Sequence, residues 1–271
     1  MKKRVLLQLH TSMHIGDEQG LGVVDMPIYR EKHTGFPIIP ASTIKGVIKR
    51  DYGNDIGSIF GSEKKEGTVI FYDGRLLLFP IKSLKGLYML ITCPYIMNHY
   101  NNENKQYNLE DNEAYVLEGN IGRMKDISNF KSEKIVLEEF IFKVKRFDNN
   151  KVLSLSSEFN DTVNKRLVMV SDNTFSHLVQ LYTEINTRVS INDKGVVENG
   201  PFTQEFIPKE AMFYADIEDL EKKSGQEKDK GAKEELPINL LSKELTNGTY
   251  IQIGGNQTLG KGLARCVVIN K

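Results

Sequence analysis

An α+β fold with an antiparallel sheet is what this sequence predicts, and three observations point to it. Short apolar runs bounded by glycine, proline or asparagine recur from one end to the other, whereas helical periodicity is confined to a few segments. Neither heptads nor a regular strand–helix alternation is present, which argues against a coiled coil and against a parallel α/β sheet. The 22 glycines and 8 prolines supply turns for many short elements. With 39% apolar and 27% charged residues, the 271-residue chain can bury a real core and reads as one large domain with inserted segments.

Val5 to Leu9 reads as the first strand, and the polar, glycine-broken stretch from His14 to Gly35 as a loop. Ser42 is placed to cap a helix from Thr43 to about Asp51, with Ile44, Val47 and Ile48 on one face and Lys45, Lys49 and Arg50 on another. Thr68 to Arg75 reads as a strand ending in a turn, followed by Leu76 to Ile81 and a strong strand from Gly86 to Pro94. The Asn-rich stretch Asn98 to Asn112 reads as a surface loop, and Lys134 to Val144 as one strand with an apolar centre. Asn160 to Val170 reads as a short helix and a strand, with a turn at Ser171-Asp172-Asn173 before a further helix from Thr174. Glu184 to Ile191 alternates like a strand, Asn192-Asp193-Lys194-Gly195 is a hairpin turn, and Val196-Val197-Glu198 begins the partner strand of a projecting hairpin. Ala211 to Ile217 is a strand, and Asp216 to Glu235 is a dense mixed-charge segment with a solvated, linker-like composition. Pro237 to Leu245 reads as a helix, and Gly248 to Ile253 and Leu263 to Ile269 as closing strands.

Chemistry concentrates in the His14–Gly35 loop. Gly16, Gly20 and Gly22 let it turn tightly or bring backbone N–H groups close to a ligand. Asp25 sits beside apolar anchors rather than in a charge run, and with Asp17, His14 and His33 offers carboxylate and imidazole for acid–base work or for a divalent ion. No spacing among them matches a zinc site or an EF-hand. The plainer readings are a buried, satisfied His14, an exposed His33 and an Asp25 that caps a turn. The run Gly254-Gly-Asn-Gln-Thr-Leu-Gly-Lys-Gly262 lacks the Gly-Lys-Ser/Thr order of a mononucleotide loop and precedes a strand. It presents N–H groups and Lys261 to phosphate, or it is a plain hairpin connection.

Lys plus Arg equals Asp plus Glu at 36 each, which argues against a simple electrostatic nucleic-acid binder but leaves room for a local basic groove. Cys93 and Cys266 read as reduced thiols, and no apolar stretch reaches the length of a signal peptide or a membrane span. Three functions fit the residues: an RNA-binding subunit of an assembly, a metal-assisted phosphodiesterase centred on Asp25, and a purely structural scaffold.

Several blocks together resemble one family. They are His14 to Gly20, Leu21 to Pro40, Ser42-Thr-Ile-Lys45-Gly46, Leu76 to Gly86, Thr187-Arg188-Val-Ser, Glu205-Phe-Ile-Pro208 and Gly254 to Gly262. The sequence is similar, over nearly its whole length, to the backbone subunits of type III-B CRISPR (Cmr) effector complexes, in the RAMP superfamily. The resemblance implies a single domain, 1–271, with a ferredoxin-like, RNA-recognition-motif core. It also implies inserted segments at 98–113 and 216–236 and a projecting thumb hairpin at about 187–202. It implies copies stacked along a guide CRISPR RNA in an open helical arrangement, each cutting the complementary target RNA once. Further implied partners are a large polymerase-like subunit, a small filament subunit and end-capping RAMP subunits, in the cytoplasm and away from any membrane.

By motif, Asp25 matches the family's cleavage aspartate and a divalent ion, Mg2+ or Mn2+, is expected there, with His14 and Glu205 as candidate catalytic helpers. The expected RNA contacts are Gly16, Gly20, Gly22, Arg30, Ser42, Lys45, Lys49, Arg188, Gly255, Asn256 and Lys261. The alternative within the family is a non-catalytic scaffold that only binds guide RNA.

Overall fold

The computed structural model describes residues 1–17, 22–56, 59–62, 64–117, 134–147, 155, 157–220, 237–245 and 248–271. Gly20 and residues 221–236 of the charged segment lie outside them. Among the described residues the chain is an α+β structure. Its large sheet has the order β13-β14-β1-β12-β4-β5-β9-β6-β8-β7. The strands nearest the site are β1 (Lys2–Leu9), β12 (Met212–Asp219), β13 (Thr249–Gln252) and β14 (Leu263–Asn270). Farther along lie β4 (Gly74–Lys82), β5 (Tyr88–Thr92), β6 (Glu113–Leu117), β7 (Lys134–Leu137), β8 (Phe140–Phe147) and β9 (Leu167–Val170). The short strands β2 (Ile38–Ile39) and β3 (Val69–Phe71) pair with β4 and β12.

The sheet is mixed rather than purely antiparallel: β5 with β9 and β6 with β8 are parallel pairs. This corrects the expectation from sequence, and the physical reason is visible in β9. Leu167, Val168, Met169 and Val170 are all buried, the signature of a strand covered on both faces rather than of a half-wet antiparallel edge. Toward one end of the sheet β1 lies between β12 and β14, and Val5, Leu6 and Leu7 are inaccessible to solvent. Arg4 is buried with them. Its guanidinium lies over the Tyr100 and Tyr214 rings at 4.4 and 4.7 Å and donates to Asp216 Oδ1 at 2.8 Å across the β1–β12 pair. Burial opposes ionisation of Asp216, but hydrogen bonds from Arg4 and Lys271 outweigh it and hold the carboxyl below the usual carboxylate range.

Several elements differ from the sequence reading, each for a local reason. Helix α1 (Ala41–Ile56) starts before Ser42 and runs past Asp51. Its first N–H, that of Ala41, donates to Asp73 Oδ1 at 2.7 Å, so the cap comes from a residue far along the chain and Ser42 is an exposed first-turn residue. Helix α2 (Pro94–Asn101) takes up the start of the Asn-rich stretch expected as loop, with proline in its first turn and left-handed Asn102 ending it. The expected strand 134–144 is the hairpin β7–β8, broken at Glu138, whose φ is +49°. Helix α3 (Ser157–Asn164) precedes β9, and α4 (Asp172–Leu181) is capped by Ser171, whose hydroxyl accepts from Thr174 N–H. Asp216 to Asp219, expected to open a solvated segment, complete β12. Asp219 Oδ1 accepts from Ile238 N–H at the start of α5 (Pro237–Glu244). Both cysteines are free and buried, and burial pushes the Cys266 thiol up to about 12.

A second, two-stranded sheet consists of β10 (Glu184–Ile191) and β11 (Val197–Phe206). The turn lies where the sequence put it: Gly195 N–H donates to Asn192 O, and Asn192 Oδ1 accepts from Lys194 and Val196 N–H. The partner strand runs on through Gly200-Pro201, where Gly200 at φ +104° lies so close to Arg188 O that a Cβ would sit 2.9 Å from it. Its outer part is exposed, and Ile185, Val189, Ile191, Val196 and Val197 present apolar side chains to solvent.

Candidate active site

Strand β11 organises the site. One edge pairs with β10; the other takes the loop, since Met26 N–H donates to Thr203 O at 3.0 Å and Glu205 N–H donates to Met26 O at 3.0 Å. Met26 thus forms an isolated parallel bridge with Gln204 at the free edge of the hairpin. The loop is closed upstream by the bridges Gly16 with Ile28 and Met13 with Ile207. Side chains alternate along β11, so Thr203 and Glu205 face one side and Gln204 and Phe206 the other.

Asp25 is exposed, and its carboxylate is tied to Thr203. Thr203 N–H and Oγ1–H donate to Oδ2 at 2.7 and 2.9 Å, and Asp25 N–H donates back to Thr203 Oγ1 at 3.0 Å. The Thr203 backbone and hydroxyl donors hold the Asp25 carboxyl below the usual carboxylate range. Two residues along, Glu205 is buried and its carboxylate is fully engaged. Arg30 Nη2 and Thr183 Oγ1 donate to Oε1 at 2.6 and 2.7 Å, and Ile28 N–H donates to Oε2 at 3.0 Å. Arg30 also donates to Gly35 O at 2.9 Å. Both therefore anchor the loop to the hairpin, a different position from the exposed carboxylate of Asp25.

On the other face, Phe206 gathers the basic residues. Lys261 Nζ lies 4.9 Å and the Arg188 guanidinium 5.4 Å from its ring centre, and the His14 ring packs against it at 5.6 Å. Arg188 donates to Asn256 Oδ1 at 2.8 Å, and Lys261 to Ser12 Oγ at 2.8 Å. His14 Nδ1 lies 2.7 Å from Glu205 O; a carbonyl only accepts, so Nδ1 carries the proton of this hydrogen bond. Gly255 N–H donates to His14 O at 2.9 Å, and Gly254, at φ +81°, has no room for a Cβ, which would lie 2.2 Å from that oxygen. The C-terminal glycine run is therefore the connection between β13 and β14 folded onto His14.

The remaining residues are dispersed. Ser42, Lys45 and Lys49 lie on α1, half-exposed or exposed, and Gly16 and Gly22 are exposed on the loop, Gly22 with open space where a Cβ would be. His33 is 3.3 Å from Tyr95 Oη and stays apart from Asp25. Among the described residues no three His, Cys, Asp or Glu side chains converge as a protein-built metal cage. A cleft of about 390 Å³ is lined by Asp17, Gly22, Val24, Pro27, Arg30 and Glu205, among others, and Asp25 is not part of its lining. A larger groove of about 1520 Å³ lies elsewhere, lined in part by Arg75, Tyr95, His99 and Asp216, and contains none of the candidate catalytic, metal or RNA-contact residues.

Sequence reasoning missed Thr203 and Phe206. The signal was the alternation Phe202-Thr-Gln-Glu-Phe206, which places Thr203 and Glu205 on one face of a strand and the two aromatics on the other.

The profile described as the RAMP superfamily matches residues 6–265. The chain is 32% identical over 278 residues to the CRISPR system Cmr endoribonuclease Cmr4 of Pyrococcus furiosus, covering 94% of this chain and 91% of that one. It superposes on oligomeric Cmr4 from Pyrococcus furiosus with a TM-score of 0.71 at 27% identity, over 100% and 98% of the two chains. A chain of the type III-B Cmr-beta complex bound to cognate target RNA has the same fold, with a TM-score of 0.74 at 18% identity over 99% and 97% of the two chains. The chain belongs to the RAMP superfamily and, within it, to the family of the CRISPR system Cmr endoribonuclease Cmr4.

Proposed function

We propose that this chain is a repeated backbone subunit of a CRISPR RNA-guided ribonucleoprotein, that it cleaves complementary target RNA at regular intervals, and that Asp25 is the residue on which each cut depends. The observation that carries the assignment to Asp25 is its exposed carboxylate, fixed through one oxygen to the hairpin strand. The relative's name as an endoribonuclease supports cleavage, and the oligomeric neighbour supports further copies as partners. The domain is then a single RAMP domain. Its neighbours are guide CRISPR RNA, target RNA, the large polymerase-like, small filament and end-capping subunits, and its place is the cytoplasm.

In this reading the β10–β11 hairpin is the thumb. Its exposed apolar tip wedges against the guide–target duplex, displaces a base pair and leaves the flanking nucleotide free for in-line attack. The 2′-oxygen then bonds to phosphorus as the bond to the 5′-oxygen breaks. The 2′-hydroxyl proton leaves to a base and the 5′-oxygen takes one up, giving a cyclic phosphate and a 5′-hydroxyl. A carboxylate held below the ordinary range is a weak base but a good anion, so Asp25 serves better to hold a cation or orient the 2′-hydroxyl than to remove its proton.

Both Thr203 donors end on Oδ2, so Asp25 would hold a divalent ion such as Mg2+ or Mn2+ through Oδ1. When bound there, it supplies positive charge beside the scissile phosphate. Arg188 and Lys261, braced on Phe206, and Lys45 and Lys49 on α1 follow the RNA backbone, while pairing to the guide reads sequence.

The test is a guide-programmed complex given a complementary RNA with 2′-deoxy residues at the mapped cut sites. It should bind as the all-RNA target does and resist cleavage. Equal cutting of both targets would contradict the proposed chemistry, and an intact all-RNA target would contradict the function.

A further inference from the structure

We infer that Thr203 is a positioning residue for Asp25, through which the hairpin strand sets the carboxylate that faces RNA. The inference rests on the proposed role of Asp25 and names the group that makes that role work. An exposed aspartate on a glycine-rich loop would otherwise exchange among rotamers. Three hydrogen bonds remove that freedom. The Thr203 N–H and hydroxyl both end on Oδ2, and the hydroxyl oxygen takes the Asp25 N–H, so the side chain and its own backbone close on one residue. Oδ2 is thereby committed, and Oδ1 is the oxygen left for RNA or a cation.

The position of Thr203 is itself over-determined. It pairs with Thr187 across the hairpin, and its carbonyl accepts Met26 N–H on the other edge. Any displacement of β11 by a bound duplex therefore moves the donors of Asp25 with it. A β-branched residue suits the task because its χ1 is stiff, which fixes the direction of the hydroxyl.

The experiment uses the complete guide-loaded complex and measures single-turnover cleavage at saturating target together with target affinity. Thr203→Val keeps the backbone donor and the branched shape but removes the hydroxyl. Cleavage should fall about 10- to 100-fold, the usual effect of removing a group that orients a reacting one, with target affinity unchanged. Thr203→Ser, which restores the hydroxyl, should return the rate to within about threefold of the starting protein. A purely structural threonine would lower affinity and rate together and would not be rescued by serine.

Cleavage by Thr203→Val at the starting rate overturns the inference. If that variant does not assemble, Thr203→Ala takes its place with the same expected loss, and failure of both to assemble also overturns it. Asp25→Asn in the same series separates the two claims: an active Asp25→Asn complex sinks the reading of Asp25 itself. An inactive Asp25→Asn beside a fully active Thr203→Val sinks only the inference about Thr203.

Discussion

At the scale of the residue, two carboxylates, one docked on Thr203 and the other two positions farther along the same strand, do different work because their donors differ. Asp25 is exposed and held by one threonine; Glu205 is buried and shared among an arginine, a threonine and a backbone N–H. Removing the Thr203 hydroxyl should therefore raise the Asp25 pKa toward the ordinary carboxylate value. A carboxyl 13C titration of Thr203→Ala against the parent protein reads this directly. The sign follows from the cause: donors to Oδ2 favour the anion, so losing one makes protonation easier and moves the midpoint to higher pH. Glu205→Ala leaves the partly buried Arg30 without its carboxylate and should cost about 3 kcal/mol in urea denaturation, the typical penalty for breaking a buried pair. Asp25→Asn should leave the denaturation midpoint nearly unmoved, because the side chain is exposed.

At the scale of the element, the hairpin was legible and its use as a spine was not. Asn192 to Gly195 carries its own turn chemistry, so the sequence located the tip correctly. The capping of α1 by Asp73, the anchoring of Arg30 on Glu205 and the docking of Asp25 on Thr203 each join residues far apart in the chain. Local propensity contains no term for such pairs. The break at Glu138 was hidden because an apolar run on either side of two glutamates reads as a single strand. Replacing Ile191 to Val197 by a two-residue turn removes mostly exposed side chains and should change stability by less than about 1 kcal/mol. If the tip acts as the thumb, the same change should lower target cleavage far more than target binding, measured on one preparation by product yield and filter retention.

At the scale of the whole molecule, a chain with equal numbers of acidic and basic residues does not bind RNA through net charge. What it offers is placement: Arg188 and Lys261 on one face of β11, Asp25 on the other, and α1 presenting Lys45 and Lys49. The family match was carried by motifs in the sequence, whereas the division of those motifs between two faces of one strand needed the fold. The measurement that bears most directly on the central claim is target cleavage by complexes assembled wholly from Asp25→Asn subunits, with guide and target binding checked in parallel. Loss of every periodic cut at unchanged target affinity is the expected result; the same ladder of products at the same rate would contradict it.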